Sequence, residues 1–175
     1  MIRSTFLTFA GGAAGATQLA QIAPYTATLR IAALCPQSGP DRALGLQLLD
    51  GVRASADEAN RLRTTLDPVL IVTAFDDRNT PADAIVQGQF AANAPDVVAA
   101  IGHLSASATL AALQRYASAQ IPLVVPTVTD DRVTAQGYRN IFRLPAKDSD
   151  EGRLVAGYVV QTGSRAPHVV TQDAD

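Results

Sequence analysis

Small hydroxyl-bearing residues gather in two short stretches of this chain, Gly102-His103-Leu104-Ser105-Ala106-Ser107-Ala108-Thr109 and Pro126-Thr127-Val128-Thr129. The first leaves an apolar run and enters a helical pattern. Unpaired amides at such a helix start, aided by the helix dipole, can hold an anion. Ser105, Ser107 and Thr109 would add hydroxyl donors. The same residues also suit plain helix capping, with Ser105 or Ser107 as the cap. The second stretch ends the adjacent apolar run and again offers short polar side chains. Together they suit a small zwitterionic or carboxylate ligand, and equally the ordinary solvation of two loops.

The other reactive residues point away from catalysis. Lys147 is the only lysine, so no Gly-rich phosphate loop is completed by Lys. Ser105 and Ser107 lack the flanking glycines of a nucleophile elbow, which leaves a small hydrolase built on Ser107 and His103 as the weakest reading. His103 and His168 are the only histidines and lack metal-ligand spacing; His103 is expected to hydrogen-bond at the sheet end. Asp76-Asp77 resembles a magnesium or phospho-acceptor pair. A receiver-type domain would place that pair after the first strand and a Lys after the fifth, where Pro36-Gln37 and Arg143-Leu144 stand. A loop-capping pair is therefore expected. The single cysteine, Cys35, excludes an intrachain disulfide framework and a Cys-rich zinc site. Leu34 stands where a lipid-attachment signal needs a small residue, so Cys35 reads as a core thiol. No enzyme activity, metal or cofactor is expected.

These stretches must be carried by regular elements. Leu29–Leu34, Val69–Phe75, Val97–Ile101, Pro122–Val125 and Asn140–Leu144 are short apolar or β-branched runs, as buried parallel strands would be. Between them lie helical patterns. One carries Leu44, Leu48, Leu49, Val52, Ala56 and Ala59, with Gly45 and Gly51 weakening it. A second opens at Pro81 and carries Ile85, Val86 and Phe90. A third, Ser105–Ala119, turns Leu110, Leu113 and Ala117 inward. Thr127 to Arg132 reads as a polar loop, Asp148–Thr162 as a further helix and His168–Thr171 as a sixth strand. Strict alternation with short connections predicts an α/β fold, a parallel sheet with helices on both faces. Ligands of such sheets bind beyond the carboxyl ends of the strands, where both hydroxyl-rich stretches fall.

Composition sets the outer bounds. The 175 residues carry a net charge of −2, with 14 basic against 16 acidic side chains, so there is no electrostatic footprint for nucleic acid. With 47% hydrophobic residues the chain can bury a core. Residues 1–27 differ from the rest: Arg3 is the only charge before Arg30, and a weakly apolar Gly/Ala-rich stretch runs from Phe6 to Ala16. One basic residue, a short apolar run and small residues near its end describe an export signal, and Arg3-Ser4-Thr5-Phe6-Leu7 resembles a twin-arginine signal with one arginine missing.

Most of the chain after residue 28 resembles the first half of the branched-chain amino-acid-binding proteins, the type I periplasmic solute receptors of ABC importers. The resemblance runs through Ser38-Gly39-Pro40, Gly51, Phe75-Asp76-Asp77 with Pro81, and Ile101-Gly102-His103-Leu104. It continues through Pro126–Thr129 and Val133-Thr134-Ala135-Gln136-Gly137-Tyr138 to Arg143 and Asp148-Ser149-Asp150-Glu151-Gly152. It implies an exported, periplasmic two-lobe receptor that closes on an amino acid or similar solute and delivers it to a membrane permease. The alternative on the same fold is a ligand-sensing regulatory domain.

Carried over, the ligand contacts fall on Ser105, Ala106 and Ser107, on the Thr127 carbonyl and on the Thr129 hydroxyl. Ala106 stands where the family usually has a ligand serine, and Leu44 where an aromatic residue is frequent. Asn79 and Ser105 occupy both places of a disulfide that some members carry. The resemblance further implies that 28–143 is a first lobe lacking its returning segment. Residues 144–175 are then the hinge crossing and the start of an incomplete second lobe, and the chain is a truncated piece.

Overall fold

The computed structural model describes residues 27–163. The expected export signal and sixth strand, with His168, lie outside the described residues apart from Ala27. The elements in chain order are β1 (Thr28–Cys35), α1 (Arg42–Leu62), β2 (Val69–Asp76), α2 (Pro81–Asn93), β3 (Val97–Gly102), α3 (Ala106–Ala119), β4 (Leu123–Val125), α4 (Arg132–Ala135), β5 (Ile141–Arg143) and α5 (Asp148–Gln161). All five strands pair in parallel, in the order β2-β1-β3-β4-β5. The α/β parallel fold expected from the alternation is the fold observed.

Side-chain alternation along β1 divides the core. Ala32 and Leu34 join the larger cluster with α2 and α3, while Ala33 and Cys35 face α1 and pack against Leu49. A strand buried on both faces needs apolar residues at consecutive positions, which is why Ala32–Cys35 reads as an unbroken apolar run. Complete burial of Leu34 contributes roughly 1.5–3 kcal/mol. The helices that cover the larger face bring alanine to it. Ala84 and Ala91 of α2 and Ala108 and Ala112 of α3 are all fully buried. Missing bulk on α2 also makes room for Tyr116 of α3: a Cβ at Gly88 would lie 3.1 Å from its hydroxyl.

Three details depart from the sequence reading. On α3 the buried stripe is Ala108, Thr109, Ala112, Leu113 and Tyr116, so Leu110 and Ala117 sit at its margins rather than facing straight in. The sequence reading followed the leucines, whereas the tight approach of α3 to α2, where Ala112 and Tyr116 lie against Gly88, selects the alanines. In α1, Leu44 is 53% exposed and Ala59 is exposed, although both lie on the apolar stripe. Among the described residues, α1 covers its side of the sheet over β1 and β2. Leu44 and Leu48 of α1 instead border an open groove of about 570 Å³ with Ile101, Leu104, Val124 and Leu144. The polar loop after β4 also contains the single turn α4. Among the described residues, no helix is long and apolar enough to cross a membrane.

Candidate functional site

Parallel pairing of β3 with β4 (Ala100↔Leu123, Ile101↔Val124) brings the two hydroxyl-rich stretches side by side at the carboxyl edge of the sheet. Ser105 is the N-cap of α3, its Oγ accepting from the Ala108 amide at 3.3 Å. The Ser105 carbonyl accepts from both the amide and the hydroxyl of Thr109, at 3.0 and 2.7 Å. Capping is thus one real role of Ser105. Thr109, fully buried, is spent on the helix start and is not a ligand donor. The Ser107 hydroxyl lies exposed, 3.2 Å from that of Ser105. The amides of Ala106 and Ser107, first in the helix, have no hydrogen-bond acceptor among the described residues. They are the orphan donors that every helix start leaves open.

The neighbouring loop is anchored from behind. The Thr127 hydroxyl donates to the carbonyls of Leu104 and His103, at 2.8 and 3.2 Å, tying one stretch to the other. That hydroxyl is therefore occupied, whereas the Thr127 carbonyl is not tied to the described residues. At Thr129 the division is reversed. Its carbonyl accepts from the Arg143 guanidinium at 2.6 Å and from the Asp148 amide at 3.1 Å, while its hydroxyl has no partner among the described residues. Arg143 also donates to the Asp130 carbonyl at 3.1 Å. One residue of β5 thus shapes the loop that carries Thr129. Asp131 closes the far side by accepting from the amide and hydroxyl of Ser149, at 3.1 and 2.6 Å, at the start of α5. The Ser149 hydroxyl, ahead of an opposing burial contribution, holds Asp131 below the usual carboxylate range.

The third rim is built by the acidic pair after β2. Asp76 accepts from the Gln37 amide (2.8 Å), the Ser38 hydroxyl (2.6 Å) and the Arg78 amide (3.0 Å). Arg78 and Asn79 both have positive φ, 48° and 56°, and the carboxylates of Asp76 and Asp77 collect the amides this turn exposes. The loop-capping role expected for the pair is what the structure shows. Burial works against the charge on Asp76, but the Ser38 hydroxyl and the surrounding amides outweigh it and hold the group below its ordinary range.

A carboxylate depressed in this way contributes stability that is complete above its unfolded pKa, about 3.9, and is lost as pH falls through the lower folded value. Denaturant unfolding of the parent and of Asp76→Asn should show a gap that is constant near neutrality and closes on acidification below about pH 4. A gap independent of pH would mean that the Asp76 charge contributes nothing.

His103 lies beneath these loops, fully buried, with Nδ1 2.5 Å from Asp77 Oδ2 and Nε2 3.0 Å from the Tyr116 hydroxyl. It hydrogen-bonds at the sheet end, as expected, and cannot meet a substrate. Sequence reading missed Tyr116, although a tyrosine on the inward stripe of a helix calls for a buried partner. Burial, with Asp77 adding to it, raises the Tyr116 phenol well above its ordinary range. Cys35 is a fully buried thiol at the end of β1, pushed up to about 12 by burial and by the Asp77 and Asp76 carboxylates. Among the described residues, no group of three His, Cys, Asp or Glu side chains could hold a metal ion.

Among the described residues, the open amides and the open hydroxyl lie beyond the carboxyl ends of adjacent parallel strands, where sheets of this kind bind their ligands. The chain belongs to the family described as periplasmic binding protein, whose profile matches residues 28–175. It is 30% identical over 139 residues to Leu/Ile/Val-binding protein homolog 1 of Brucella melitensis, covering 79% of this chain and 37% of that relative. It is 28% identical over 133 residues to the Leu/Ile/Val-binding protein of Escherichia coli, covering 76% and 36%. Among solved structures it is similar to the branched-chain amino acid transporter substrate binding protein of Streptococcus pneumoniae in complex with isoleucine. That match has a TM-score of 0.67 and 26% identity, covering 77% of this chain and 38% of that one. The fold is that of the type I periplasmic binding proteins, and the chain spans little more than a third of the length of these relatives.

Proposed function

We propose that residues 28–143 form the first ligand-binding lobe of an extracytoplasmic, periplasmic receptor for an ABC importer. It would bind an amino acid or a similar small carboxylate solute and work by closure of two lobes rather than by chemistry. The observation that carries this reading is the convergence of open donors at two adjacent strand ends: the amides of Ala106 and Ser107 and the hydroxyl of Thr129. Donors of this kind complement a carboxylate group. Ser105 and Thr127 hold the shape of the site, Thr127 leaving its carbonyl for an ammonium group and Ser107 adding an exposed hydroxyl. In place of a ligand serine, Ala106 offers only its amide. Residues 144–175 would be the crossing and the first part of the second lobe. Against the described residues the α5 helix buries none of its own, and the groove beside α1 leaves Ile101 and Val124 of the sheet uncovered. The relatives' names support a branched-chain aliphatic amino acid as the first ligand to try.

Calorimetric titration of leucine, isoleucine, valine and a set of aromatic carboxylates into the parent and Thr129→Ala tests the reading. The hydroxyl-to-carboxylate hydrogen bond should contribute about 1.5–3 kcal/mol, so Thr129→Ala should weaken the best ligand by roughly tenfold or more. A loss below about 0.5 kcal/mol would remove the Thr129 hydroxyl from the site.

A further inference from the structure

Three polar side chains lie fully buried directly beneath the loop that carries the open amides: Asp77 after β2, His103 after β3, and Tyr116 on α3. We propose that this Asp77–His103–Tyr116 chain is the positioning device of the ligand loop, fixing where the amides of Ala106 and Ser107 point. The proposal deepens the receptor reading, on which the meaning of that loop as a ligand loop rests.

Geometry distinguishes the chain from an ordinary core contact. His103 is the second residue before the N-cap Ser105, and its ring reaches inward to two different elements, with Nδ1 on Asp77 at 2.5 Å and Nε2 on Tyr116 at 3.0 Å. The Asp77 carboxylate accepts the proton on Nδ1. This fixes which face of the ring meets Tyr116, whose hydroxyl donates to Nε2 when the ring is neutral. The other Asp77 oxygen accepts from the Asn79 amide at 3.0 Å, so the carboxylate is itself held by the turn after β2. From above, the His103 and Leu104 carbonyls are held by the Thr127 hydroxyl. From the side, Gly102 runs so close to β1 that a Cβ there would stand 2.2 Å from the Leu34 carbonyl oxygen, at a φ of +146°. The peptide leading into α3 is therefore fastened by three independent attachments. The imidazole is the only one of them that ties it to the helix layer.

Burying three polar groups together is costly unless each is satisfied, and apolar replacements would serve a core at least as well. What the network supplies, and an apolar trio would not, is direction. Each hydrogen bond fixes an angle as well as a distance, and the angle at His103 is passed within three residues to the first-turn amides of α3.

Nuclear magnetic relaxation of backbone amides tests this on the chain itself, without any ligand. His103→Ala opens a cavity that threatens the sheet itself, so the informative variants are Tyr116→Phe, which removes one oxygen, and Asp77→Asn, which keeps the shape. In the parent, residues 104–107 should be as rigid as β1, with order parameters near 0.85. In both variants they should fall toward about 0.6, with Ala32–Leu34 remaining rigid. Loop order parameters that stay level with those of β1 in both variants would overturn the proposal. So would a loss of rigidity spread evenly over loop and sheet, which is the mark of a merely structural role. A parallel leucine titration separates the two layers of inference. Loosened loops in a chain that binds no carboxylate would leave the positioning intact and count against the receptor reading alone.

Discussion

Gly45→Ala should destabilise the fold by about 3 kcal/mol, whereas Gly51→Ala, six residues along the same helix, should stabilise it by roughly 0.5–1 kcal/mol. Ordinary helix propensity favours alanine at both positions, because glycine loses more backbone entropy on folding. The surroundings decide the sign. A Cβ on Gly45 would stand 1.8 Å from the Pro36 carbonyl oxygen and 2.7 Å from both its carbonyl carbon and its Cγ. Backbone cannot rotate away as a flexible side chain would, so α1 would have to lift off the end of β1. That would separate Leu49 from Ala33 and Cys35. At Gly51 nothing lies within 4 Å of the added carbon, and the residue is exposed. Urea unfolding with a check that the slope is unchanged measures both effects. If the two substitutions shift stability in the same direction, the close contact between α1 and Pro36 is not part of the folded state.

His103→Leu is expected to cost about 3–5 kcal/mol, even though leucine is apolar and of suitable size for a core. The loss comes from what remains behind. Asp77 would keep only the Asn79 amide as a partner while fully buried, and the Tyr116 hydroxyl would keep none among the described residues. An uncompensated buried carboxylate is among the most costly defects a single substitution can leave. The same reasoning fixes the outcome of the double variant. Replacing Asp77 by Leu together with His103 should recover part of the loss, so the two single costs should not add. Additive costs would show that the two side chains do not depend on each other.

The strands and their order of appearance were legible because a parallel sheet buries both faces, and unbroken apolar runs such as Ala32–Cys35 follow from that. The caps were legible for a similar local reason: Pro81 begins α2 and Ser105 caps α3, as their residue types demand. Position on α3 was less so. Its inward stripe runs through Ala108, Ala112 and Tyr116, because close approach to α2 selects alanine on α3 and Gly88 opposite Tyr116, and hydrophobicity alone favoured Leu110. The exposure of Leu44 depended on which part of the sheet α1 covers, which no local pattern encodes.

At the site, the neighbourhood of the stretches 102–109 and 126–129 followed from strand succession. The division of labour between hydroxyl and carbonyl at Thr127 and Thr129 did not, because it is set by long-range partners, Leu104 in one case and Arg143 and Asp148 in the other. The Asp77–His103–Tyr116 chain was half visible. His103 was expected to bond at the sheet end, but its two partners lie 26 and 13 residues away in sequence and meet it only through packing.

A carboxylate solute should dock on the strand ends of β3 and β4. The most direct measurement is the perturbation of assigned backbone amide shifts as leucine, and then the other carboxylates, are added to this chain. If the donors are those of the proposed first lobe alone, binding should be weak, with a dissociation constant on the order of 1 mM or above. The shifts should concentrate at Ala106, Ser107 and Thr129. Shifts that gather instead along the apolar groove of Leu48, Val52 and Val124, or submicromolar binding by these residues alone, would contradict it.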